Sequence, residues 1–106
     1  MKKIELIIKS REAMLTAVQI YNNPQVTFKS ETFITLAIIS WTYLLHAYYA
    51  NNNINYKYYQ KKGKRIIYDR TKHGAYKFWE LERCLNDDAS PIDEITADNL
   101  KFLIGI

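Results

Sequence analysis

The segment Ser30-Glu31-Thr32-Phe33-Ile34-Thr35-Leu36-Ala37-Ile38-Ile39-Ser40-Trp41-Thr42-Tyr43-Leu44-Leu45-His46-Ala47-Tyr48-Tyr49-Ala50 decides how the rest of the chain is read. From Thr32 to Tyr56 there is no Asp, Glu, Lys or Arg. A helix this apolar all round is either the central element of a core or a membrane span. Thr35, Ser40, Thr42 and His46 interrupt the apolar run, and Asn51-Asn52-Asn53 follows it directly. The stretch is barely long enough to span a bilayer, so a buried core helix over 30–50 is the expectation, with no membrane partner.

Other elements then have to pack on that helix. Upstream, Ile4, Ile7, Met14, Val18 and Tyr21 recur at spacings of three, four or seven, with Lys9, Glu12 and Gln19 off the stripe. This predicts an amphipathic helix over 3–21 with that stripe inward. It is ended by Asn22-Asn23-Pro24, because proline disfavours helical geometry before it and lacks a donor. Downstream, Tyr56, Tyr58 and Tyr59, then Lys61-Lys62-Gly63-Lys64, then Arg65-Ile66-Ile67-Tyr68 predict a β-hairpin insert over 56–69. Phe78, Leu81 and Leu85 suggest a helix over 75–86. Ser90-Pro91-Ile92-Asp93 suggests a last helix with serine as its cap and proline at its first position. That last helix would carry Ile92, Ile95, Leu100, Leu103 and Ile104. The fold class is therefore mainly α, a helical bundle with a small hairpin, in one domain spanning 1–106.

Composition narrows function by exclusion. Cys84 is the only cysteine, so no internal disulfide forms and a reducing, cytoplasmic compartment is expected. Lys2 and Lys3 are followed by Glu5 and Lys9, which breaks any signal-peptide apolar region. Two histidines and one cysteine lie far apart, without metal-ligand spacing, and three glycines make no phosphate-cradling loop. No cofactor is expected.

The net charge of +4 hides two opposed segments. Residues 57–72 hold Lys57, Lys61, Lys62, Lys64, Arg65, Arg70 and Lys72 against Asp69 alone. Residues 80–98 hold Glu80, Glu82, Asp87, Asp88, Asp93, Glu94 and Asp98 against Arg83 alone. Cations interleaved with tyrosines have a physical rationale as a nucleic-acid site. Lys and Arg gain affinity by counterion release, and tyrosine rings stack on unpaired bases. Lys61, Lys62, Lys64 and Arg65, with Tyr58 and Tyr68, are the candidate RNA-binding residues. The alternative is a solvated hairpin whose lysines keep its edge soluble.

A second candidate is the narrow polar stripe of Glu31, Thr35, Thr42 and His46 on the apolar helix. It is either a polar cleft wall or a set of hydroxyls bonded back to their own helix, with His46 a satisfied core histidine. The terminal run Phe102-Leu103-Ile104-Gly105-Ile106 is apolar to its end. Such an end suggests an N-terminal fragment, with further chain or a second copy covering the last helix.

Several stretches carry a family resemblance. They are Ala17-Val18-Gln19-Ile20-Tyr21-Asn22-Asn23-Pro24, Phe28-Lys29-Ser30-Glu31-Thr32-Phe33, Trp41-Thr42-Tyr43-Leu44-Leu45-His46-Ala47, Trp79-Glu80-Leu81 and Asn99-Leu100-Lys101-Phe102-Leu103-Ile104-Gly105. With them the chain resembles the N-terminal part of a bacterial family in the HEPN superfamily of all-helical, nucleotide- and RNA-associated domains. The resemblance implies an antiparallel helical bundle, often a dimer, and for many members a metal-independent RNase in phage defence, toxin–antitoxin or stress response. Its catalytic Arg-x4-6-His motif would follow Gly105, and neither residue is present here. No catalytic residue is carried over. The expected function is an RNA-associated domain lacking nuclease activity as it stands; the alternative is a non-enzymatic dimerisation or protein-interaction module.

Overall fold

The computed structural model describes residues 2–106. Four helices and one hairpin follow in the order α1 (Lys2–Tyr21), α2 (Lys29–Asn51), β1 (Tyr59–Lys62), β2 (Arg65–Tyr68), α3 (Leu81–Asn86) and α4 (Glu94–Ile104). The chain is thus mainly helical with a small antiparallel hairpin.

α2 is the element on which the other helices pack. It is long and apolar enough to cross a membrane by length and composition, and α1, α3 and α4 all rest against it. Its C-terminus is closed by the asparagine run. Asn52 Nδ2 donates to the Tyr48 carbonyl at 2.8 Å, and Asn53 turns left-handed at φ 57°. Ile54 N–H then reaches back to the Tyr49 carbonyl at 2.9 Å, which satisfies carbonyls the helix leaves free.

α1 runs antiparallel to α2, as three contacts along its length show. Lys3 Nζ donates to Asn51 Oδ1, Ser10 meets Ser40, and Tyr21 packs on Phe33. The face of α1 turned inward differs from the expected one. Leu6, Ser10 and Ala17 are buried, whereas Ile4, Ile7, Val18 and Tyr21 remain exposed. The reason lies in size. The small side chains Ser10 and Ala17, with Ser40 of α2 against Ser10, let the two helices approach closely there. Ser10 Oγ donates to the Ser40 carbonyl and Ser40 Oγ donates to the Ser10 carbonyl, both at 2.7 Å. Each hydroxyl thereby satisfies its own burial requirement.

The hairpin pairs Tyr59 with Tyr68, Gln60 with Ile67, Lys61 with Ile66 and Lys62 with Arg65. Gly63 opens its two-residue turn at φ 63°, the first central position at which a turn of the II′ kind calls for glycine. At its base, residues 76–79 do not continue a helix as expected over 75–86. They run extended, with Lys57 bridged to Phe78 and Arg70 bridged to Tyr76. Three backbone bonds close a ring among chain segments: Tyr58 N–H to the Lys77 carbonyl (2.8 Å), Asp69 N–H to the Tyr58 carbonyl (2.9 Å), and Lys77 N–H to the Asp69 carbonyl (3.2 Å). Pairing partners far along the chain thus overrule the local helical pattern, and α3 is confined to Leu81–Asn86.

The start of α4 also differs from the expectation. Its cap is Asp93, whose carboxylate accepts from Thr96 N–H; this bond holds the carboxyl below the usual carboxylate range. Ser90 instead accepts from Ile92 N–H in the preceding turn. Proline at position 91 fits that turn as well as it would fit a first helical position.

The core joins Leu45 and Tyr49 of α2 to Trp79, then to Leu81, Cys84 and Leu85 of α3 and Leu100 of α4. The Tyr49 hydroxyl donates to the Cys84 carbonyl, and burial pushes its pKa up to about 12. Burial likewise raises the Cys84 thiol to about 12, and at 0% exposure its side chain packs in the core.

Candidate nucleic-acid interface

The molecule extends 56 Å along its longest axis, whereas the 23 residues of α2 reach only about 35 Å. The other elements must account for the rest. Residues 59–67, the hairpin tip and most of both strands, are all exposed. Lys61, Lys62, Lys64 and Arg65 therefore stand in solvent as a group. Side chains alternate across the two faces of a pleated ribbon. Lys61 shares the tyrosine face with Tyr59 and Tyr68, and Lys62 and Arg65 share the other. Among the described residues the one ion pair is Arg83–Asp87, at 3.1 Å. The tip cations have no carboxylate partner.

Below the tip the tyrosine face becomes a packed cluster. Tyr68 stands edge-on to Tyr59 at 6.3 Å and to Tyr76 at 5.4 Å between ring centroids. The Lys57 ammonium lies 4.5 Å from the Tyr76 centroid and 5.4 Å from that of Tyr68. The Arg70 guanidinium lies 4.3 Å over Tyr76. It is held there by donating to the Gly74 carbonyl and to the Tyr76 hydroxyl. Tyr59 and Tyr76 keep 41% and 37% of their surface open, enough for a base to stack while neighbouring cations meet its phosphates.

Of the six residues expected to bind RNA, five share this ribbon, and Tyr58 lies at its base and lines the cavity beside it. Tyr58 packs against the core, and its hydroxyl donates to Glu80 at 2.7 and 2.8 Å. Burial, together with that bond, raises its pKa to about 12. Tyr56, also read with the hairpin, is buried. Lys57, Tyr59, Arg70 and Tyr76 were not singled out as binding residues, although they complete the cluster. The sequence signal for Tyr76 is the run Tyr76-Lys77-Phe78-Trp79, which is extended and not helical.

Around the corner, Arg83 lies 3.9 Å over the Trp79 ring. Lys57, Tyr58, Tyr59, Trp79, Arg83 and Asp87 line a cavity of about 530 Å³. Lys57 and Tyr59 belong to both the cavity and the tyrosine face, so the two form one continuous surface.

The polar stripe on α2 does not gather into one wall. Thr35 Oγ1 donates to the Glu31 carbonyl and Thr42 Oγ1 to the Ile38 carbonyl, and Glu31 itself is exposed. His46 is buried, stacked on Tyr56 at 4.6 Å. Its Nε2 lies 2.6 Å from the Trp79 carbonyl. A carbonyl only accepts, so Nε2 carries the proton. Burial lowers the His46 pKa, against the raising effect of that bond, and the neutral ring leaves Nδ1 as an acceptor. His46 lines a cavity of about 270 Å³ with Lys2, Lys9, Tyr43, Tyr56 and Phe78; Glu31, Thr35 and Thr42 are absent from it. Among the described residues no three His, Cys, Asp or Glu side chains converge on a metal position.

No curated protein and no solved structure matches the chain. One family does match, over residues 5–106, nearly the whole length. The chain belongs to that family, described as a domain of unknown function (DUF3644).

Proposed function

We propose that this chain is an RNA-associated domain of HEPN type in a bacterial defence or stress-response protein, and that it grips single-stranded RNA with its hairpin. The observation that carries the reading is the exposed set Lys61, Lys62, Lys64 and Arg65, unpaired with acid, at the tip of a ribbon one face of which carries the Tyr59–Tyr68–Tyr76 cluster. Such a ribbon offers phosphates their counter-charge and unstacked bases their π-face. Single-stranded RNA is favoured over duplex because bases must be free to reach the rings. The role is binding rather than cleavage: His46 is buried against Trp79, and the cations that line its cavity are Lys2 and Lys9, not those of the ribbon.

Fluorescence anisotropy with a labelled single-stranded RNA tests the proposal. Replacing Lys61, Lys62, Lys64 and Arg65 together by alanine is expected to weaken binding by at least about 50-fold. The helical circular-dichroism signal and the integrity of the RNA should be unchanged. Equal affinity of the variant and the parent would refute the assignment, and so would equal affinity for duplex and single strand.

A further inference from the structure

The cavity that holds His46 shares a wall with the ribbon. Phe78 lines that cavity, and Phe78 is also paired across the strands with Lys57. Directly opposed residues of a ribbon point to one face. Tyr76, two residues before Phe78, points to that face as well, and the Lys57 ammonium lies over its ring. Phe78 is therefore the inner end of the tyrosine face. A strand that stacks on the tyrosines and continues past Tyr76 arrives at the His46 cavity.

What the cavity offers there is an acceptor without a donor. His46 keeps only 7% of its surface open. Its Nε2–H is spent on the Trp79 carbonyl, the one hydrogen bond the ring makes among the described residues. Every fully buried side-chain nitrogen or oxygen among those residues has a partner, so the unpartnered Nδ1 is one that opens on the cavity. Burial, and after it the charge of Lys2, hold the ring's pKa down against the Trp79 bond. A base that weak accepts a hydrogen bond at neutral pH without removing the proton, so the site holds a hydroxyl and does not activate it.

Lys2 supplies the complementary donor. Its ammonium lies 4.9 Å from the Phe78 ring centroid on the wall of the same cavity. It has no carboxylate partner among the described residues, and no acid lines the cavity. The rings of Tyr56 and Phe78, 5.3 Å apart between centroids, bound a space of about 270 Å³. That is the room of about nine waters, enough for one sugar and too little for a base pair. A hydroxyl that donates to Nδ1 and accepts from Lys2 satisfies both groups. The ribose 2′-hydroxyl is both donor and acceptor, and it is the group by which a protein tells RNA from DNA.

We infer that His46 and Lys2 form a ribose subsite, which reads the 2′-hydroxyl of one nucleotide in the bound strand and so selects RNA over DNA. The inference rests on the RNA-binding reading and adds the choice of sugar to it. The tip cations and the tyrosine rings cannot make that choice, because phosphates and the faces of bases are common to both nucleic acids.

The first test changes the ligand and leaves the protein intact. Fluorescence anisotropy compares single-stranded oligouridine with its 2′-deoxy and 2′-O-methyl counterparts, which match it in charge and base. The deoxy strand neither donates nor accepts at that position, and the methylated strand cannot donate. Each should bind about tenfold more weakly than oligouridine. NMR of the imidazole nitrogens reads the contact itself, in protein carrying His73→Gln, which leaves His46 as the only histidine. The Nδ1 resonance should move upfield when oligouridine is added and stay in place with the 2′-O-methyl strand. Lys2→Met, at an exposed position, should narrow the RNA-over-DNA ratio by about threefold. Equal affinity for the three strands would overturn the inference and leave the hairpin reading standing. A fixed Nδ1 resonance in RNA-saturated protein would do the same. Binding of none of the strands would overturn both.

Discussion

Every residue from 59 to 67 in the hairpin is exposed, while Leu45, Tyr49 and Cys84 at the centre of the helical layer are shut off from water. The two regions are held by different forces. The hairpin stands on backbone pairing, a glycine turn and the three-way ring at Tyr58, Asp69 and Lys77. The helices stand on apolar burial and on buried polar groups that satisfy one another. A region that buries almost no side chain has its side chains free for a ligand. The contrast therefore teaches a division of labour: changes in the helical layer should move stability, and changes in the hairpin should move binding.

The sharpest way to break that division is to truncate both regions. Leu45→Ala, at a position 1% exposed, should cost about 3 kcal/mol in urea unfolding. Ile66→Ala, at a position 50% exposed, should stay within about 0.5 kcal/mol. Comparable losses at the two sites would end the distinction. Next in size, Tyr76→Ala removes the ring that both Lys57 and Arg70 face. It should weaken single-stranded RNA binding by about 2 kcal/mol while leaving the melting temperature nearly unchanged. A large melting shift with intact binding would reverse the roles of the two regions. Tyr49→Phe takes away only the hydroxyl that donates to the Cys84 carbonyl. A loss of about 1 kcal/mol in unfolding free energy is expected, with RNA affinity unaltered.

The smallest effect depends on pH. Burial holds His46 below its ordinary value, so the unfolded chain takes up this proton before the folded one does. The stability contributed by neutral His46 is complete above about pH 6.5 and is lost as pH falls toward the folded-state pKa. Melting temperatures measured from about pH 7.5 down to about pH 5 should fall, and His46→Gln should flatten that descent. An identical descent in the variant would place the proton uptake elsewhere.

How much of this was legible depends on how local each signal was. The charge-free run from Thr32 to Tyr56 and the Lys-Lys-Gly-Lys turn announce α2 and the hairpin, because apolar composition and glycine's freedom act within a few residues. The inward face of α1 was misread because periodicity weighs large apolar residues, and the close approach of Ser10 to Ser40 rewards small ones. Of those large residues, Ile7 and Met14 line cavities beside α2. The extended run 76–79 was hidden for another reason: its partners, Asp69, Tyr58 and Tyr56, lie 8, 19 and 23 residues away, and pairing at that range leaves no periodic trace. Arg70 and Tyr76 of the candidate binding surface went with it, since they reach Lys57 and the other tyrosines only through that pairing. At the start of α4, Ser90 and Asp93 both have cap-forming side chains; the choice fell to the one whose carboxylate meets Thr96 N–H.

The central claim, that the hairpin is a phosphate-binding ribbon, is tested most directly by the salt dependence of single-stranded RNA affinity. A plot of log affinity against log salt concentration should fall with a slope of about −3, as expected for roughly four phosphate contacts. Replacing Lys61, Lys62, Lys64 and Arg65 by alanine should bring that slope close to zero. A flat plot for the parent chain, or an undiminished slope in the variant, would contradict the claim.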